Sequence, residues 1–263
     1  MHGANRMESK NINQIIQKAN QDRVTQLELF NMALTHLPDE IIQLTHLEEL
    51  YLEYNQFAQL PENIKQLPSL KFLSLEYNHI KTLPNEIGSL KHLKKLNLAN
   101  NGIESLSDSI GQFKDLEFLD LRVNELSELP DSFANLKNLE ILYLGRNQFQ
   151  QLPEILSHLP QLNDLGLGGN QISQIPQWIE KLHQLKFLSF SRNHITNVPE
   201  VIQSLEFLEH LILRENKLDS FPSELKELKH LKLLDLRGNL FLDKDNILKN
   251  VHSPDEIIQT YTN

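Results

Sequence analysis

Several residue types and patterns are missing from this sequence of 263 residues, and each absence removes a class of structure or chemistry. No cysteine is present, which excludes disulfide bonds, thiolate zinc sites and a cysteine nucleophile. No stretch approaches the roughly 18 to 20 consecutive apolar residues that a membrane-spanning helix needs. The first segment, 1–14, also lacks the apolar core of a classical secretory signal. We therefore expect no membrane insertion and no cleaved signal peptide.

Basic residues are scarce relative to acidic ones. The sequence holds 25 Lys and Arg against 35 Asp and Glu, which gives a formal net charge of −10. Nucleic-acid binding depends on clustered positive charge that neutralises phosphates, so this balance predicts no nucleic-acid partner.

Motifs for catalysis and cofactor binding are also missing. The sequence contains no G-x-x-x-x-G-K-[ST] phosphate loop, no H-E-x-x-H zinc motif and no G-x-S-x-G nucleophile elbow. The one glycine cluster, Gly166, Gly168 and Gly169, does not lie between a strand and a helix and is no dinucleotide fingerprint. The eleven histidines are interpreted as scattered surface residues, because none has a second ligand three or four residues away. We expect no enzymatic activity, no cofactor and no metal site.

One repeat dominates the rest of the sequence. Val24 begins the first unit, and the same position recurs every 23 residues, at Leu47, Leu70, Leu93, Leu116, Leu139, Leu162, Leu185, Leu208 and Leu231. Each unit reads approximately L-x-x-L-x-L-x-x-N-x-L-x-x-L-P-x-x-I-x-x-L-x-x. Its L-x-L segment has the period of a β-strand, so Leu50 and Leu52 are expected to point inward. Pro61 and its equivalents predict an extended or turn-like return. One unit cannot bury its own leucines, so the units must stack and pair their strands in a parallel sheet.

An asparagine follows each predicted strand, at the ninth position of the unit, except in the first unit, where Met32 stands. The row comprises Asn55, Asn78, Asn101, Asn124, Asn147, Asn170, Asn193, Asn216 and Asn239. A buried amide at this bend can bond backbone groups that the sheet does not reach. An unpaired buried polar group costs roughly 1–3 kcal/mol, so we interpret the row as structural rather than functional.

The repeat resembles that of leucine-rich-repeat proteins over about residues 24–240. The 23-residue length and the L-P-x-x-I segment are similar to the Ras-associated class of plants and animals and to the repeat domains of bacterial Roco proteins. The flanks, 21–38 and 238–258, are also similar to those of Roco repeats, where a GTPase follows. The resemblance implies an α/β fold: a right-handed solenoid, or horseshoe arc, with a parallel concave sheet and helical caps.

A solenoid exposes its core at both ends unless it is capped, which predicts the domain organisation. Apolar residues from Ile12 to Ala19 share one face of a predicted helix over 9–20, with Ser9 as its N-cap. Near the other end, 253–256 reads as a capping box before further apolar residues. Either helix could alternatively bind a membrane or a partner. The predicted parts are an N-terminal tail and capping helix (1–23), ten 23-residue units, the last incomplete (24–240), and a C-terminal cap (241–263).

The strand positions that face away from the core are not dictated by the repeat, so they carry the information about function. Four of the five tyrosines and three phenylalanines fall there: Tyr51, Tyr54, Tyr77, Tyr143, Phe72, Phe118 and Phe187. Exposed aromatic side chains on a rigid sheet suit binding hot spots. The alternative is that the rings stack along the strands and stabilise the sheet. The glycine cluster leaves a bare patch, which either admits a partner's loop or marks a position where packing asks for nothing.

Charge is also segregated along the predicted concave face. The first full units offer Glu49, Glu53 and Glu76, whereas later units offer Arg122, Arg146, Arg192, Arg214 and Arg237. Arginine suits bidentate pairing with a carboxylate or phosphate of a partner. The alternative is local pairing with Asp120, Glu215 and Asp235. Unpaired arginines would require a partner that is acidic at that end and basic or aromatic at the other.

These patterns together predict a non-enzymatic protein-protein interaction module, a monomer that binds a protein partner on its concave face. The family resemblance implies a small GTPase or another signalling protein as the partner. The second hypothesis is a secreted bacterial effector that binds a host protein. The expected location is cytoplasmic, or inside a host cell after export without a classical signal peptide.

Overall fold

The computed structural model describes residues 2–241 and residue 254. In this part of the chain, helix α1 (His2–Gln21) precedes short β-strands that alternate with 3-10 helices. The strands are β1 Gln26–Glu28, β2 Glu49–Tyr51, β3 Phe72–Ser74, β4 Lys95–Asn97, β5 Phe118–Asp120, β6 Ile141–Tyr143, β7 Asp164–Gly166, β8 Phe187–Ser189, β9 His210–Ile212 and β10 Leu233–Asp235. The 3-10 helices are Asp39–Gln43, Glu62–Gln66, Asn85–Ser89, Asp108–Gln112, Asp131–Asn135, Glu154–His158, Gln177–Lys181, Glu200–Ser204 and Ser223–Glu227.

The chain forms two compact units. The first runs up to Asn124 and includes Pro130–Leu136, and the second contains Glu125–Leu129 and the chain from Lys137. In the first unit β1 to β5 pair in parallel, each with the next strand in sequence. In the second unit β6 to β10 pair in the same way. Paired residues, such as Leu50 and Leu73, are one repeat apart, which confirms the predicted register.

The leucines of the strands form the core, as their alternation predicts. Leu50 and Leu52 are both fully buried. Two phenylalanines that replace aliphatic core residues, Phe113 and Phe133, are also completely buried without shifting the strand register. Full burial of such a side chain contributes roughly 1.5–3 kcal/mol, so stacking of the units supplies the stability that one unit lacks.

The return that follows β1 to β9 is extended at the proline position, as expected, and then continues as a 3-10 helix that the sequence analysis did not specify. Pro61 is itself extended, with φ −62° and ψ 120°, and its carbonyl accepts from the N–H of Ile64 in the first turn of a 3-10 helix. The i to i+3 spacing of that helix turns both Ile64 and Leu67 inward within five residues. Ser107 adopts the same extended conformation in the unit that lacks the proline. The turn therefore needs the extended backbone there, and proline only favours it.

The asparagine row is structural, as predicted. The Ile172 N–H of the preceding turn donates to the side-chain oxygen of Asn193 at 2.9 Å. The amide nitrogen of Asn193 donates to the carbonyls of Leu167 and Phe190, both at 3.0 Å. Each asparagine of the row bonds residues 21 and 26 positions earlier, and for residue 32 those positions fall within α1, whose backbone groups bond each other within the helix. This explains why Met32 is tolerated in the first unit.

Helix α1 covers the start of the leucine core, as expected of a cap. Ile12, Ile16 and Ala19 are buried, and the helix packs against the 3-10 helix Asp39–Gln43. It begins at His2, so the prediction that Ser9 is the N-cap is wrong; no proline interrupts 2–8, and the helix extends through Ser9. No helix in the described part of the chain could cross a membrane. Apart from Phe241 and Pro254, the predicted C-terminal cap lies outside the described residues.

Candidate protein-binding surface

The side chains at the third, fifth, seventh and eighth repeat positions project away from the leucine core, and we call them the strand face of each compact unit. The first strand face belongs to the compact unit with β1 to β5, and the second belongs to the one with β6 to β10. The predicted aromatic residues lie on this face and none is core filling. Tyr54 and Tyr77 are 55% and 44% exposed, in contrast to the core phenylalanines. The others are half-buried: Tyr51, Phe72, Phe118, Tyr143 and Phe187.

Neighbouring rings of the first unit stack along the strands. The Tyr54 and Tyr77 rings are nearly parallel, 10° apart, with centroids 4.5 Å from each other. The Tyr51 and Phe72 centroids are 4.8 Å apart, with a tilt of 39°. The alternative that the rings stabilise the sheet is therefore correct for these pairs. The same rings keep one face or edge accessible, so stacking and partner binding are compatible.

The eighth position imposes a backbone conformation that the sequence pattern does not reveal. Tyr54, Tyr77 and Arg146 have φ values of +56°, +53° and +55°, in the left-handed region. Gly169 occupies the same position with φ +75°. Glycine adopts this region without the steric cost that a Cβ brings. The alternative that packing asks for nothing at the glycine cluster therefore does not hold for Gly169, because the turn favours glycine there.

Gly166 also has a packing reason. A Cβ at this residue would lie 2.9 Å from the Tyr143 ring, which is closer than two carbon atoms approach without a shift. The absence of a side chain lets the ring lie over β7. The Tyr143 hydroxyl then donates to Asp164 at 2.9 Å. The glycine cluster is therefore part of the second unit's surface and not a gap in it.

Carboxylates and tyrosines interact closely on the first strand face. The Tyr51 hydroxyl donates to Glu49 at 2.9 Å. Burial, followed by this hydrogen bond and the charge of Glu49, raises the pKa of Tyr51 to about 12. The two Glu76 oxygens accept from the side-chain amides of Asn97 at 3.0 Å and Asn100 at 3.2 Å. These contacts hold the carboxylates in place by neutral donors.

The second strand face contains a polar group that the sequence analysis missed. Asp164 and His210, at the third repeat position, are the first residues of β7 and β9, with Phe187 between them in register. The His210 and Phe187 rings meet edge to face at 6.0 Å. Burial raises the pKa of Asp164, against the lowering effects of the Tyr143 hydrogen bond and of His210. His210 is half-buried here, so the view of all histidines as exposed surface residues is wrong at this position.

The arginines mostly use the local alternative. Arg122 pairs with Asp120, Arg237 pairs with Asp235 at 2.6 Å, and Arg192 and Arg214 share Glu215 at 2.8 and 2.7 Å. Arg146 forms no ion pair with any residue that the structure describes. Ion pairs on a surface contribute about 0–1 kcal/mol, so Arg192 and Arg214 remain available for exchange with a partner. Arg122 instead pairs with the buried Asp120, which would lose its compensation if the arginine left. A free arginine stripe, however, is not what the structure shows.

Two further residues belong to the strand faces. Phe30, at the seventh position of the first repeat, is 53% exposed, and Leu233, the first residue of β10, is 43% exposed. A search of the four outward positions for every apolar residue, and not for tyrosine first, would have identified Phe30. Among the described residues, no group of three or more His, Asp or Glu side chains could hold a metal ion.

Comparison with known proteins agrees with this architecture. The family model of the leucine-rich repeat region matches residues 62–167, and that of the leucine rich repeat matches residues 22–80. A leucine-rich-repeat protein of Leptospira interrogans is 36% identical, with a TM-score of 0.77, and the match covers 85% of this chain and 63% of that protein. The comparison with curated protein sequences finds no match.

Two solved receptors are similar at lower identity. The plant peptide hormone receptor RGFR1, solved in complex with RGF2, is 28% identical with a TM-score of 0.69, over 85% of this chain and 38% of the receptor. TLR13, solved in complex with ssRNA13, is 28% identical with a TM-score of 0.74, over 86% of this chain and 34% of TLR13. The chain spans less than two thirds of each of these three proteins.

Fold and surface together define a repeat solenoid whose leucines form the core and whose variable side chains are displayed on parallel strands. The chain belongs to the leucine-rich-repeat proteins. This fold is generally a non-enzymatic scaffold for interaction with other proteins and peptides.

Proposed function

We propose that this chain is a non-enzymatic interaction module that binds a protein partner on its strand faces. The observation that carries the proposal is the placement of the aromatic side chains. They lie on rigid paired strands, exposed or half-buried, while the core is filled by other residues. Rings in this setting bury a large area on binding at little cost in conformational entropy.

The proposal is tested by affinity capture with the full chain immobilised and captured proteins identified by mass spectrometry. The test variant replaces Tyr51, Tyr77, Phe118 and Tyr143 together by alanine. Loss of about 1–2 kcal/mol per buried ring predicts at least a tenfold fall in captured partner. The matched control is Phe207→Ala, because Phe207 is 51% exposed on the turn before β9 and lies outside the strand face.

Folding and binding are separated by melting curves of all variants. The proposal predicts that the control captures the same proteins as the unmodified chain and that the quadruple variant, still folded, does not. Equal capture by a folded quadruple variant would show that the strand faces are not the binding surface.

The class of partner is inferred from the family resemblance and from the net charge. The similarity of the repeat and its flanks to Roco proteins supports a small GTPase or another signalling protein. The net charge of −10 supports a protein partner over a nucleic acid, although the similar TLR13 was solved with single-stranded RNA. We also propose that the chain acts as a monomer in the cytoplasm. Analytical ultracentrifugation tests the oligomeric state.

The second candidate is a bacterial effector that is exported without a classical signal and binds a host protein. The 36% identity to a Leptospira protein supports a bacterial source, and the same strand faces would bind the host protein. A translocation reporter fused to the chain tests this candidate. Absence of reporter signal in host cells, with normal expression in the bacterium, would remove it.

A further inference from the structure

The stacked tyrosines of the first unit are not required by the fold. Tyr54 and Tyr77 hold φ values near +55°, a region in which bulky residues are rare. Asn31 and Asn100 occupy the equivalent position in the units on either side, with the same positive φ. Asparagine tolerates this conformation better than tyrosine does. The turn itself therefore does not explain why two exposed aromatic rings stand here.

Acidic side chains surround these rings. Glu53 and Glu76 immediately precede Tyr54 and Tyr77, and both carboxylates act electrostatically on the Tyr54 hydroxyl. Glu28 and Glu49 lie on the adjoining strands β1 and β2. We call this group the tyrosine patch, which comprises Tyr51, Tyr54, Phe72, Tyr77, Glu28, Glu49, Glu53 and Glu76.

The carboxylates of the tyrosine patch form no ion pair within the described part of the chain. Among the described residues, none of the four lies within 4.0 Å of a lysine, arginine or histidine nitrogen. Three of them accept hydrogen bonds from neutral donors: Gln26 donates to Glu28, Tyr51 to Glu49, and Asn97 and Asn100 to Glu76. Lys95, on β4, is the lysine of this strand face and forms no ion pair with them.

Carboxylates just outside the patch are neutralised within the chain. Glu48, next to Glu49 but off the strand face, pairs with Lys71 at 2.8 Å. Glu117 pairs with Lys94 at 2.6 Å. Lysines therefore neutralise these two carboxylates in the turns that precede the strands, whereas the carboxylates of the tyrosine patch form no ion pair with a described residue. The patch presents uncompensated negative charge beside accessible aromatic faces.

These features are complementary to one chemical group. We propose that the tyrosine patch binds an arginine-bearing segment of the protein partner, which rests on the interaction function proposed above. A guanidinium group stacks flat on an aromatic face and pairs with carboxylates through two parallel N–H donors. An ammonium group lacks the planar fork, so lysine is the weaker occupant. A phosphate-bearing ligand would meet only repulsion from the four carboxylates.

A fluorescein-labelled peptide of six Gly-Arg repeats, titrated with the full chain and followed by anisotropy at 150 mM salt, tests the proposal. The test variants are Tyr54→Asn with Tyr77→Asn, and Glu53→Gln with Glu76→Gln. Asparagine keeps the positive φ, so the first variant keeps its fold. Each pair is expected to weaken binding about tenfold, since a cation–π or charge-assisted contact contributes on that scale.

The matched control is Glu48→Gln with Glu117→Gln, which changes the net charge by the same amount but lies outside the patch. It is expected to weaken binding less than about threefold, and a Gly-Lys peptide is expected to bind several-fold more weakly than the Gly-Arg peptide. Equal loss in control and test variants would overturn the proposal, because binding would then follow net charge alone. Binding of the Gly-Arg peptide that does not saturate would also overturn the proposal. Tighter binding of a labelled oligouridylate than of the Gly-Arg peptide would do the same.

The outcome is separable from that of the proposed function. If the quadruple aromatic variant loses capture of a protein partner while the unmodified chain ignores the Gly-Arg peptide, the interaction function stands and the arginine proposal fails. If the peptide binds through the tyrosine patch but the quadruple variant captures proteins normally, the proposal that partners are captured through the strand faces fails instead.

Discussion

Replacing Asn193 by alanine measures what the asparagine row contributes, and the structure allows the loss to be worked out group by group. Asn193 accepts from the Ile172 N–H and donates to three carbonyls, those of Leu167, Phe190 and Ser191. Each carbonyl retains another donor after the change, Leu167 from Asn170, Phe190 from Asn216 and Ser191 from the Gly169 N–H. Only the buried Ile172 N–H is left without a partner.

One orphaned buried donor costs about 1–3 kcal/mol, and the net loss of the remaining hydrogen bonds adds about 1 kcal/mol. We therefore expect Asn193→Ala to lower the free energy of unfolding by about 2–4 kcal/mol. For a chain of this size the corresponding fall in Tm is about 5–15 °C. Urea unfolding followed by far-ultraviolet circular dichroism gives the free energy, and a thermal melt gives Tm.

Two further variants locate the cause. Asn193→Asp keeps an acceptor for Ile172 but points its second oxygen at carbonyl oxygens and buries a charge, so it is expected to be at least as destabilising. Asn197→Ala removes an exposed asparagine four residues later and is expected to stay within about 0.5 kcal/mol of the unmodified chain. A melt of Asn193→Ala within about 1 °C of the unmodified chain would refute the reasoning.

Two other predictions follow from local geometry. Gly169→Ala is expected to cost about 1–2 kcal/mol, since φ is +75° there, and Gly169→Asn less, since asparagine tolerates that region; urea unfolding that ranks them in the opposite order would contradict this. Tyr51, whose pKa is raised to about 12 from 10.0, is favoured as the neutral phenol in the fold. Its contribution to stability is present below pH 10 and is lost as pH rises through about 12. In Tyr51→Phe, the titration of tyrosinate absorbance at 295 nm should lack the component near pH 12. Loss of a component near pH 10 instead would exclude the raised pKa of Tyr51.

The fold could be predicted from the sequence because each unit repeats the same local pattern. Alternation around Leu50 and Leu52 predicted both the strand and its inward face, and the asparagine row predicted where backbone groups would need a partner. The extended backbone at Pro61 was predicted, but the 3-10 helix after it was not, since the same apolar spacing fits an extended turn and a 3-10 helix. The start of α1 was also not predicted, because Ser9, at the start of the apolar face, has the residue type that is typical of a helix N-cap.

The candidate surface was predictable only in outline. The outward positions of Tyr54 and Tyr77 followed from the repeat, but their stacking and positive φ did not. The sequence left open whether the arginines pair within the chain, since Arg192 and Arg214 have several acidic residues nearby. Their shared pairing with Glu215 depends on how neighbouring repeats stack. Asp164 and His210 were missed because they are 46 residues apart and lie on strands separated by β8, with Phe187 between them.

The sequence by itself determined that this chain is a leucine-rich-repeat solenoid, since a 23-residue period of buried leucines and bridging asparagines is satisfied only when units stack. Only the tertiary structure decided which outward side chains are neutralised and which remain available. That decision depends on contacts between residues about 23 positions apart or at the left-handed turn, where neighbouring units bring some cations to carboxylates and leave the carboxylates beside Tyr54 and Tyr77 without one.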